Sequence, residues 1–149
     1  MMNMNKINGF KKEQIFKLYD YLVAYEDSGI EMYNSTKALL KDHPELSELK
    51  EIIKKVECKK SDSIEMKDID LKNINNEIYL TKCKGNLLLS FLAHLRNSIA
   101  HGNIFAHDSH ILVTDFANPK FNPIDFAARG RIEFSVIIDL TNILKSIEL

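Results

Sequence analysis

Apolar residues return every third or fourth position over long stretches of this chain, and the breaks in that rhythm divide it into elements. Ile15, Leu18, Tyr19, Leu22, Val23 and Tyr25 form one stripe with Lys11, Lys12, Glu13, Lys17 and Asp20 around it, which predicts a helix over residues 10–27. Ser28-Gly29 breaks or bends it. Met32, Tyr33, Thr36, Leu39 and Leu40 keep the period until His43-Pro44, where the proline steers its predecessor away from the helical region. Leu46, Leu49, Ile52, Ile53 and Val56 predict a third helix over residues 45–58. The widest stripe comes next: Leu80, Cys83, Leu87, Leu88, Phe91, Leu92, Leu95 and Ile99 predict a central helix over residues 78–101. Gly85 weakens it slightly and suits a close helix contact, and Gly102 ends it as a left-handed cap.

After Gly102 the period changes. Ile104-Phe105-Ala106 and His110-Ile111-Leu112-Val113-Thr114-Asp115, joined by the turn-like His107-Asp108-Ser109, predict a small hairpin. Asn118-Pro119 and Asn122-Pro123 mark an irregular passage, and Arg131-Ile132 a short extended piece. Val136, Ile137, Leu140, Ile143, Leu144 and Ile147 predict a closing helix over residues 136–147. Residues 1–9 are polar and expected to be loose, and residues 59–76 read as a connecting loop with a short helix and a solvated charged surface. With no internal repeat or linker, the expectation is one domain over residues 1–149, mainly all-α: four to five helices with a small β-hairpin after the central helix.

Composition narrows the partners more than the fold. A chain of 149 residues, 45% apolar and 28% charged, is long enough for one ordinary core. Its net charge of −1 removes any global argument for binding a polyanion, though a local basic patch stays open. Lys54, Lys55, Lys59 and Lys60 cluster, but a solvated helix face accounts for them better than a phosphate backbone does. Cys58 and Cys83, in a chain without an apolar leader or a run of membrane-spanning length, point to reduced thiols in a cytoplasmic protein with no membrane association. No Cys/His cluster has zinc spacing, so neither a metal nor a cofactor is expected.

The chemistry concentrates in Leu95-Arg96-Asn97-Ser98-Ile99-Ala100-His101-Gly102. On a helix, Asn97 and His101 share a face, and Arg96 lies about 100° from Asn97 with a stem long enough to reach back. A guanidinium offers fixed donors for phosphate, an imidazole transfers protons near neutral pH, and an Asn amide orients either. The arginine is also one of few: of 20 basic residues only Arg96, Arg129 and Arg131 are arginine. An ordinary helix end, with Arg96 paired to a surface carboxylate, is the competing interpretation. His94 lies on nearly the same face as His101 but reads as a packed or partly exposed helix residue. His107 and His110 flank a turn, where local hydrogen bonding is their expected role; Tyr19, Tyr21, Tyr25 and Tyr33 read as core or interface residues.

Arg96-Asn97-Ser98-Ile99-Ala100-His101 resembles the Arg-(four to six residues)-His motif of the HEPN superfamily, including its polar residue after the arginine and its place near the end of a long helix. The resemblance covers most of the chain. It implies a metal-independent endoribonuclease acting as a homodimer, with two copies of the motif meeting in a cleft and with Arg96, His101 and Asn97 as its catalytic residues. Cleavage then needs a base for the 2′-hydroxyl, an acid for the leaving 5′-oxygen and a cation for the phosphoryl oxygens, and it leaves a 2′,3′-cyclic phosphate. His101 would move the proton, Arg96 would neutralise the phosphate and Asn97 would orient His101 or the ribose. Because a single histidine cannot easily act at both ends of an in-line displacement, two protomers would bring two. The implied setting is a prokaryotic toxin or defence effector with an RNA substrate and an antitoxin or other protein partner; the alternative is an inactive dimerisation or nucleotide-binding module on the same fold. Some HEPN toxins paired with nucleotidyltransferase antitoxins carry a tyrosine two residues after the histidine; here Asn103 stands there.

Overall fold

A five-stranded mixed sheet joins the expected hairpin to three strands on ground that the apolar periodicity assigns mostly to helices and loops. The computed structural model describes residues 9–60, 69–80, 86–118 and 122–147. In chain order its elements are α1 (Lys12–Ser28), α2 (Thr36–Asp42), α3 (Glu48–Lys55), β1 (Glu57–Lys60), β2 (Glu77–Leu80), α4 (Leu87–Ala100), β3 (Ile104–His107), β4 (His110–Asn118), β5 (Asn122–Glu133) and α5 (Phe134–Lys145). The sheet runs β1-β2-β5-β4-β3, with β1 parallel to β2 and every other neighbour antiparallel. The mainly all-α expectation is therefore wrong: the protein is α plus β.

Two local signals caused the error. Ile78, Tyr79 and Leu80 read as the first turn of the central helix, yet all three are buried in succession, which a short strand covered on both faces does and a one-sided helix does not. The helix begins only at Leu87, and Cys83 and Gly85 lie outside the described residues. The second signal is β5, whose Ala127-Ala128-Arg129-Gly130-Arg131 run has little strand propensity and follows Asn122-Pro123. It is a strand because neighbours on both sides pair with it: Gly130 faces Ile78 of β2 and Val113 of β4. A side chain at Gly130 would press into the Glu77 carbonyl and Ile78, so close approach of strands fixes the glycine.

Elsewhere the spacing gave the right elements. The hairpin of β3 and β4 forms, turning through Asp108 at a left-handed φ of 57°. Gly29 at φ 68° closes α1, and a short 3₁₀ turn, Ile30–Met32, continues the chain toward α2, which Ser35 caps by accepting from the Ala38 N–H at 3.1 Å. Pro44 opens a second 3₁₀ turn and α3 follows, but β1 replaces the last residues assigned to that helix. Residues 61–68 of the connecting segment, residues 1–8 of the loose N-terminal stretch and residues 119–121 of the irregular passage lie outside the described residues.

The core lies between the sheet and the helices. Ile111 and Val113 of β4, with Ala128 and Ile132 of β5, contribute fully buried side chains to it, together with Leu92 and Leu95 of α4 and Leu140 of α5. Tyr21 ties α1 to α4 by donating its hydroxyl to the Leu92 carbonyl at 2.9 Å; burial raises its pKa well above the phenolic norm. What this packing positions is the end of α4 beside β4.

Candidate functional site

Helix α4 stops in a Schellman turn. Gly102 takes φ 72° and donates its N–H to the Ile99 carbonyl at 3.1 Å, and the Asn103 N–H reaches the Ser98 carbonyl at 2.8 Å. The Asn103 carbonyl then accepts from the Thr114 N–H at 3.1 Å, which pins the helix end to β4. As the spacing predicts, Gly102 is the left-handed cap and His101 sits at the helix terminus, exposed to solvent.

The three predicted site residues do not share one cavity. Arg96 borders a cleft of about 380 Å³ lined by Tyr25, Glu31, Tyr33, Asn34 and Ser90. His101 borders another, of about 640 Å³, lined by His94, Asn103, Asp115, Phe116 and Ala127. Asn97 borders both and so forms the ridge between them. The divergence of Arg96 and His101 on an ideal helix, about 140°, is what separates them.

Arg96 Nη1 donates to Asn97 Oδ1 at 3.2 Å and Nη2 to Glu26 Oε1 of α1 at 2.8 Å, while its buried Nε has no partner among the described residues. The Glu26 hydrogen bond raises the guanidinium pKa further, so Arg96 is a permanent cation. Its carboxylate partner is 57% exposed, and ion pairs so exposed are worth roughly 0–1 kcal/mol. Burial raises the neighbouring Tyr25 hydroxyl, which keeps it neutral.

On the other side of the ridge the chain supplies a carboxylate that the motif does not contain. Asp115 Oδ2 lies 2.7 Å from His94 Nδ1 and accepts from Asn97 Nδ2 at 3.3 Å. Asp115 sits on the buried face of β4, in register with Ile111 and Val113, and its side chain is only 6% exposed. Beside it the sheet carries a bulge: Asp115 pairs with Ala128 but Phe116 pairs with Phe126, so Ala127 is the extra residue at the wall of the cleft. The sequence alone gives His94 as a packed or partly exposed helix residue, which it is, and gives Asp115 no role. The signal was present, since a carboxylate at the i+4 position of an otherwise apolar strand face needs a buried partner.

The local hydrogen bonding expected of His107 is not seen at its Nδ1, which is buried without a partner among the described residues. His110 makes the local hydrogen bonds expected of it, through Arg131, Asn75 and Ser109. Lys59 pairs with Glu57 and Glu77, and Lys54 with Glu51, as a solvated charged surface requires. Tyr21 and Tyr25 are core residues, whereas Tyr19 is exposed. Among the described residues no group of three or more His, Cys, Asp or Glu is arranged to hold a metal ion, and no helix is long and apolar enough to cross a membrane.

The Arg-x4-His motif of this chain closes a core helix, the placement that the HEPN resemblance implies. The sequence profile of one such family, described as HEPN pEK499 p136, matches residues 2–148, and the chain belongs to that family. No curated protein and no solved structure matches it.

Proposed function

We propose that this protein is a metal-independent endoribonuclease of the HEPN type, acting as a homodimer in prokaryotic defence or as a toxin. The observation that carries the reading is the arrangement around Asn97. Its amide accepts from the Arg96 guanidinium on one side and donates to Asp115 on the other, so one side chain couples the phosphate-binding cation to the cleft that holds His101. In this reading Arg96 neutralises the phosphoryl oxygens, His101 transfers a proton and Asn97 holds the two in register. Family membership supports the class.

Dimerisation supplies what the separate clefts lack. Phe16, Tyr19 and Val23, at 59%, 45% and 57% exposure, make an apolar stripe on α1. Tyr19 also lines a groove with His101, so a second copy seated on the stripe lies against the histidine. Val23→Asp is expected to turn a dimer into a monomer in light scattering and to lower cleavage at least tenfold, with an unchanged circular dichroism spectrum. A partner antitoxin belongs to the same proposal.

Purified protein should cut RNA in EDTA and leave a 2′,3′-cyclic phosphate. Arg96→Ala and His101→Ala should each fold and lose activity, and inducing wild type but not His101→Ala should arrest growth. Retained cutting in both variants sinks the assignment. One observation favours a second reading: the Arg96–Glu26 ion pair and the separate cavities of Arg96 and His101 suit an inactive dimerisation or nucleotide-binding module. That reading predicts nucleotide or RNA binding without cleavage.

A further inference from the structure

His94 and His101 are seven residues apart on α4, which places them within about 20° of each other and about 10.5 Å apart along the axis. Both line the cleft that Asn97 and Asp115 border. Their surroundings differ. The His101 imidazole is exposed at the helix terminus, and its ring has no hydrogen-bond partner among the described residues. His94 is held by its Nδ1 against the buried Asp115 carboxylate at 2.7 Å, and no described residue hydrogen-bonds its Nε2. A carboxylate accepts only, so Nδ1 carries the proton and Nε2 carries the lone pair in the neutral ring. Histidines with one nitrogen fixed by a carboxylate and the other open to a cleft are built to take protons.

Resting on the ribonuclease reading above, we propose that His94 is the general base of the same site and His101 its general acid, with Asp115 as the residue that positions His94. His94 Nε2 takes the proton of the 2′-hydroxyl as that oxygen forms its bond to phosphorus. The P–O5′ bond breaks, and the His101 imidazolium gives its proton to the departing 5′-oxygen. The products are a 2′,3′-cyclic phosphate and a 5′-hydroxyl end, and water restores both imidazoles. With His94 fixed by Asp115, the other imidazole lining the cleft, His101, is left to act as the acid. A scissile phosphate with a hydrogen bond of about 3 Å on each side spans the gap between two side chains two turns apart on one face. Each protomer thus brings both imidazoles to the cleft, with Arg96 on the other side of the Asn97 ridge.

The test uses an oligoribonucleotide containing a cleavage site mapped with wild-type protein, made with either oxygen or sulfur at the bridging 5′ position. A thiolate leaves without protonation. His94→Ala and His94→Gln, the latter keeping a donor for Asp115, should lose roughly 10²–10⁴-fold in kcat on both substrates. His101→Ala should fail on the oxygen substrate and regain most of its rate on the sulfur one. Asp115→Asn should lower kcat with KM held and shift the acid limb of the pH profile, which a merely structural role leaves unmoved. Cleavage by folded His94→Ala within threefold of wild type overturns the proposal, as does sulfur rescue of His94→Ala in place of His101→Ala. Absence of cleavage by wild type overturns the ribonuclease reading itself, and this assignment with it.

Discussion

At the start of β4, His110 takes Arg131 Nη2 against its Nδ1 at 3.3 Å and meets Asn75 Oδ1 with its Nε2 at 3.0 Å. Farther along the same strand, Asp115 holds His94 by Nδ1 alone. Both clusters join an imidazole to the sheet, yet in the first both ring nitrogens are bonded to the chain. Arg131 Nη1 donates to the Ile74 carbonyl at 2.8 Å, Asn76 accepts from the Glu133 N–H at 3.1 Å and donates to the Lys55 carbonyl at 2.9 Å. That network fastens residues 74–76 across the strand edge. The second borders open space of about 640 Å³. Polar clusters of similar composition thus differ in how the imidazole is held: both ring nitrogens of His110 are bonded to the chain, whereas only Nδ1 of His94 is bonded among the described residues.

Mutating each cluster should move different observables. Asp115→Ala removes the acceptor of both His94 and Asn97; it should reduce RNA cleavage about 100-fold or more, while costing roughly 1–3 kcal/mol of stability in urea unfolding. Arg131→Met should reverse the pattern, lowering stability by about 1–3 kcal/mol through the stranded Ile74 carbonyl and leaving cleavage per folded molecule unchanged. Equal loss of activity in both variants would erase the distinction between them. Gly130→Ala probes the strand that joins the two clusters. Crowding against Glu77 and Ile78 should cost about 1–3 kcal/mol, read as a Tm lower by roughly 3–10 °C in differential scanning calorimetry.

The smallest effect is electrostatic. Burial, reinforced by the Arg131 charge, lowers the His110 pKa below its ordinary value. The folded protein therefore favours the neutral ring, and the unfolded chain takes up a proton first as pH falls. Stability is full above the ordinary histidine value near pH 6.5 and is lost as pH drops from there toward the lowered folded value. His110→Gln should flatten that part of the stability–pH curve, measured by urea midpoints between about pH 5 and 7.

The amino-acid pattern made the helices and the helix terminus legible because both depend on local preference: a 3.6-residue stripe and a glycine at φ 72°. The sheet was legible only where a strand carried its own signature, as His110-Ile111-Leu112-Val113-Thr114 does. Ala127 to Arg131 form a strand through partners distant in sequence, and Glu77–Leu80 is too short for its period to distinguish strand from helix. The site divided along the same line. Arg96, Asn97 and His101 stand together in a motif, whereas the link from His94 to Asp115 depends on the register of β4 against α4 and on the bulge at Ala127. Glu26, the partner of Arg96, comes from α1 and is likewise a tertiary fact.

The Schellman turn at Gly102 and the hairpin after it have a kinetic consequence. His94, Asn97, His101 and Asp115 all fall within residues 94–115, and the Thr114 N–H to Asn103 carbonyl bond closes that segment on itself. Contacts between residues so near in sequence cost little chain entropy to form. The cleft's polar side is thus a unit of low contact order, whereas the Arg96–Glu26 pair joins residues 70 apart in α4 and α1. On this ground the His94–Asp115 contact is expected to form before the Arg96–Glu26 pair in refolding.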